Sequence, residues 1–105
     1  MIEAEFFHEN GAFTGFAVSG HAGFDQHGRD IVCASVSSAV QLTVNGITEI
    51  LSERANINVK ENLVKLSLKD GPSRETNAFF KALKLHLELL CEDYPGTIHI
   101  SCMEV

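Results

Sequence analysis

From Met1 to Phe7 the chain alternates, with Ile2, Ala4 and Phe6 on one side and Glu3 and Glu5 on the other. That period of two is the mark of a half-buried strand. Asn10-Gly11 supplies a hairpin turn, and a second strand is expected from Ala12 to Ser19, with Phe16 and Val18 on one face. A glycine-rich polar loop follows from Gly20 to Arg29. Between Asp30 and about Arg54 the period lengthens: Val32, Val36, Val40, Val44, Ile47 and Leu51 recur at helical spacing. Two short strands come next, Ile57 to Lys60 and Leu63 to Lys69, the second alternating Val64, Leu66 and Leu68 with polar residues. Asp70-Gly71-Pro72 breaks the chain. Ser73 is placed to cap a second helix to about Tyr94, with Phe79, Leu83, Leu87 and Leu90 as its core stripe. Pro95-Gly96 ends it, and Thr97 to Glu104 reads as a closing strand with Ile98, Ile100 and Cys102 on one face.

The order is ββαββαβ. A mostly antiparallel sheet with both helices on one face is the economical packing, so the fold class is an α+β two-layer sandwich. At 105 residues and 45% hydrophobic, residues 1–105 form a single domain able to bury a core without disulfide or metal.

Charge and cysteine content narrow the function. Fourteen acidic against 8 basic residues give a net charge of −6, which argues against direct nucleic-acid binding, because phosphate neutralisation needs clustered Lys and Arg. A basic partner is favoured instead. Ile31 to Thr48 carries no formal charge. Its Ser, Thr, Gln and Asn content argues against a membrane span and for a helix covered on more than one side. No basic segment followed by an apolar one opens the chain, so a cytoplasmic location is expected. Cys33, Cys91 and Cys102 are an odd number at wide spacing, fitting neither a disulfide framework nor a common zinc site.

The loop and the start of the first helix carry the candidate chemistry. With Asp30 as N-cap, Cys33 falls in the first turn, where unpaired N–H groups and the helix dipole favour thiolate over thiol. His21, set between Gly20 and Ala22-Gly23, is the favoured base; His27, at the loop tip beside Gly28, is the alternative and is expected to face solvent. Backbone N–H groups at the helix start are the expected oxyanion donors. The loop residues Gly20, Ala22, Gly23, Phe24 and Gly28 are expected to close over whatever the site binds. Ser37 and Ser38 sit one turn on, and Ser38 is taken as a candidate supporting residue beside Asp30. Each reading has a plainer counterpart. Cys33 also reads as a small core residue, Asp30 as a cap alone, and Cys91 and Cys102 as packing. A metal held by His21, Asp25, His27, Asp30 and Cys33 lacks any compact ligand pair to fix its geometry, so no cofactor is expected.

The segments GHAGF and GRDIVCASVS resemble the signature of the ribosomal-processing cysteine proteases, the Prp family. That resemblance implies a cysteine endopeptidase that removes a short N-terminal extension from the precursor of a large-subunit ribosomal protein. It implies His21 as the catalytic histidine, Cys33 as the nucleophile and Asp30 as the acidic residue of the motif. It also implies a homodimer, which suits the uncharged first helix and Gly46, where two backbones can approach closely. The competing reading is a non-catalytic ribosome-assembly or protein-binding module with Cys33 in its core. A redox-sensing thiol protein is less suited, since no resolving cysteine lies close in sequence.

Overall fold

A computed structural model describes residues 1–26 and 28–105; His27, the alternative base, lies outside the described residues. The elements are β1 (Ile2–Glu9), β2 (Ala12–Ser19), α1 (Ile31–Asn45), β3 (Ala55–Lys60), β4 (Leu63–Leu68), α2 (Arg74–Asp93) and β5 (Ile98–Glu104). This is the expected ββαββαβ order. One sheet takes all the strands in the order β3-β4-β2-β1-β5. Its β1–β2, β2–β4 and β3–β4 pairings are antiparallel. The last strand instead runs parallel to the first, with Ile2 opposite Ile98 and His8 opposite Glu104.

Register brings the apolar positions to one face. Phe6 lies opposite Phe16, and Phe16 opposite Leu66, and all three side chains are fully buried. Both helices cover this face: Val32, Val36 and Val40 of α1 join Phe80, Leu83 and Leu87 of α2 in one cluster with the strand residues. Residues Ile31–Ile50 are long and apolar enough to cross a bilayer, yet their valine stripe lies against the sheet.

Four expectations need correction. In α2 the aromatic at the centre of the core is Phe80, not Phe79; its ring meets Phe13 and Phe16 edge-on at 6.5 and 6.0 Å. Phe80, Leu83 and Leu87 form a continuous helical stripe, whereas Phe79 turns toward the first helix. There it fills the space over Gly46, where an added Cβ would lie 2.5 Å from the Phe79 ring. The close approach expected at Gly46 for a second subunit is thus used within the chain. The first helix stops short of Arg54: α1 continues as one π-helical turn, Gly46–Ile50, and Ser52 at φ 54° turns the backbone out of helix. Cys102 is exposed on the edge strand β5, while Cys91 is half-buried and its thiol donates to the Ile98 carbonyl at 3.2 Å.

Candidate active site

Asp30 organises the site. It caps α1 from an extended conformation, its Oδ1 accepting the N–H groups of Val32 and Cys33 at 3.0 Å each. Its Oδ2 reaches back to the loop and accepts the N–H groups of Phe24 at 2.9 Å and Asp25 at 3.2 Å. One carboxylate therefore caps the helix and ties down the strap that precedes it. These bonds, the Cys33 N–H foremost, hold the Asp30 carboxyl below the usual carboxylate range against an opposing cost of burial; the Asp25, Phe24 and Val32 N–H groups add to the effect.

The other end of the strap is fixed at Gly20. Its N–H donates to the Asn62 carbonyl at 3.0 Å, and its φ of +89° swings the chain off β2. A side chain there would meet the Met1 carbonyl oxygen at 2.6 Å, so glycine is required twice over. The turn delivers His21 to the wall of a groove that Cys33 also lines. The next amide, Ala22 N–H, points at Cys33 Sγ, 3.2 Å away. Cys33 is half-buried, so its sulfur is held by the strap while facing the groove.

The groove exists because α1 leaves part of the inner sheet face uncovered. Two cross-strand rows run toward the edge strand β3: Phe16–Leu66–Ile57 and Val18–Val64–Val59. Burial falls along each row. Leu66 is fully buried and Ile57 is 42% exposed, while Val18 is buried and Val59 is 68% exposed. The resulting trough, about 1010 Å³, lies between α1 and the β3–β4 hairpin, from His21 and Cys33 at one end to Val44 and Asn45 at the other. Arg54 pairs with Asp70 through two contacts of 2.9 and 2.7 Å, clasping the base of that hairpin. Over the eleven residues from Cys33 to Val44 a helix rises about 16 Å, the length of about five extended residues.

Not every residue expected at the site faces it. Gly20, Gly23 and Gly28 line the groove. Ala22 turns its methyl into the core, and Phe24 packs edge-on against Tyr94 at 5.1 Å instead of arching over the trough. Ser38 does not line the groove that holds Cys33. Cys33 and Ser37 are four residues apart on one helical face and share the groove, whereas Ser38 is turned toward a furrow between α1 and α2 with Phe79 and His86. Three helix-start amides are also not open to an oxyanion: Val32 and Cys33 N–H are held by Asp30 Oδ1, and Ala34 N–H by the Asp30 carbonyl at 3.0 Å. Among the described residues no three of His, Cys, Asp and Glu converge as metal ligands. The groove wall from β3 was missed in the sequence; its signal was the apolar pair Ile57 and Val59 alternating with Asn56 and Asn58.

A family model described as cysteine protease Prp matches residues 1–99. A ribosomal processing cysteine protease Prp of Staphylococcus aureus is 28% identical over 95 residues, covering 89% of this chain and 90% of its own length. The crystal structure of an essential ribosomal processing protease Prp from S. aureus, with a covalently linked product peptide, superposes with a TM-score of 0.91. It is 26% identical, and the match covers 98% of this chain and 100% of that one. A second structure of the S. aureus protease, with a substrate peptide, gives a TM-score of 0.85 at 25% identity over 98% of this chain and 100% of the other. The chain belongs to the cysteine protease Prp family and is a cysteine protease.

Proposed function

We propose that the chain is a cytoplasmic endopeptidase that removes a short N-terminal extension from a large-subunit ribosomal protein, with Cys33 as nucleophile and His21 as base. The observation that carries this reading is a sulfur held by a backbone N–H at the mouth of a groove that His21 also lines. In the reaction His21 takes the thiol proton, Cys33 Sγ attacks the scissile carbonyl, and His21 returns the proton to the departing amine. Water activated by the same imidazole then releases the acyl group. The apolar trough supports an extended peptide with apolar side chains on one side of the cut, and the net charge of −6 favours approach of a basic ribosomal protein. Nucleic acid and membrane have no part in this reading.

Two copies are proposed to act together as a homodimer; Leu42 of α1, 70% exposed beside the α1–α2 furrow, supports an apolar contact there. The function is tested by incubating the chain with an extended large-subunit ribosomal protein and weighing both products by intact mass. The native chain should release the extension, and Cys33→Ala should lower the rate by at least about a thousandfold while folding normally. Processing by Cys33→Ala at the native rate would remove Cys33 as nucleophile.

A further inference from the structure

We propose that the backbone N–H of Ala22, not the helix start, is the donor that stabilises the tetrahedral oxyanion. The inference rests on the protease reading above and specifies the chemistry of that same site. Its first support is occupancy: the amides of Val32, Cys33 and Ala34, at and flanking Cys33 in the first helical turn, are engaged by the carboxylate and carbonyl of Asp30. The second is direction. Ala22 N–H is aimed at Cys33 Sγ from 3.2 Å. When sulfur joins the scissile carbon, the carbonyl π electrons move to an oxygen one bond beyond that carbon. The same N–H can exchange its sulfur acceptor for this oxygen with little movement. On collapse the oxygen reforms the carbonyl, the C–N bond breaks, and the amine leaves with the proton held by His21.

The third support is preorganisation, which is what makes such a donor effective. The Ala22 methyl is buried in the core, Gly20 is tied to Asn62, and the next amides, Phe24 and Asp25, are tied to Asp30 Oδ2. The strap is thus anchored on both sides of the donor. Among the described residues, none beyond its chain neighbours comes within 4 Å of where a Cβ on Gly23, at φ +70°, would be, leaving room there for the substrate carbonyl.

The full chain is accessible by chemical ligation at Cys33, joining synthetic residues 1–32 to residues 33–105. That route allows the Ala22 amide N–H to be replaced by an ester oxygen. Both full-length proteins, carrying Cys102→Ser, are assayed on one peptide spanning the cleavage site, and separately for alkylation of Cys33 by iodoacetamide, a reaction that forms no oxyanion. The ester should lower kcat by about 10²–10³-fold with KM changed by less than about threefold, while alkylation slows by less than about tenfold. A native-like kcat in the ester protein, or a loss equal to that in alkylation, would overturn the assignment. Failure of the native protein to cut the peptide would instead overturn the protease reading, and this inference with it.

Discussion

Gly20 and Asp30 hold the two ends of the strap that carries His21, and each makes a prediction. Gly20→Ala places a methyl against the Met1 carbonyl in a left-handed backbone conformation. Stability should fall by about 1–3 kcal/mol in urea unfolding, and cleavage should fall further than stability accounts for, because His21 is redirected. Asp30 sets an acid limit. Its carboxyl is held below the usual range, so folding favours the ionised form. That contribution is complete above about pH 4 and is lost as pH falls through the lowered value. Urea midpoints followed downward from pH 5 should therefore decline more steeply for the native chain than for Asp30→Asn. Parallel declines would show that Asp30 carries none of the acid sensitivity. The capping half of this residue's work was legible in the sequence, since a cap and its amides are neighbours. Its hold on Phe24 and Asp25 was not, because that depends on how the loop folds back.

At the level of elements, the legible part was whatever depends on local period. Strand alternation, the valine stripe of α1 and the Ser73 cap of α2 placed the strands and both helix starts, and the Cys33 turn with them. Choices that depend on tertiary packing were misread. Phe79 and Phe80 are adjacent in sequence, and the way α2 seats on the sheet and against α1 puts Phe80 in the core and Phe79 over Gly46. Ser37, by contrast, shares a helical face with Cys33 through its four-residue spacing, a local relation that the sequence does contain. The Gly46–Phe79 contact gives a direct check: Gly46→Ala drives a methyl into the ring and should destabilise the protein by about 1–3 kcal/mol. An unchanged denaturant midpoint would mean the helices can part there at no cost.

On the scale of the whole molecule, the sequence supports the layered architecture but not the direction of β5, since neither composition nor period distinguishes a parallel neighbour from an antiparallel one. Assembly is a matter of surface. If two copies meet through the α1–α2 furrow, Leu42→Asp should convert a species of twice 11.5 kDa into a single chain in light scattering. The urea midpoint of the separated subunit should correspond to a loss of under about 0.5 kcal/mol relative to native protein diluted below its association range. A native chain that already weighs 11.5 kDa would remove the homodimer.

The parallel seam between β1 and β5 has a practical consequence for anyone fusing this protein to something else. Met1 lies against Gly20, beside the strap, whereas Val105 bonds to the His8 carbonyl at the far end of the same strand. Seven residues of strand separate these points, about 23 Å. An affinity handle or fluorescent partner joined at residue 1 would crowd the mouth through which a peptide enters, and one joined at residue 105 would leave that mouth clear.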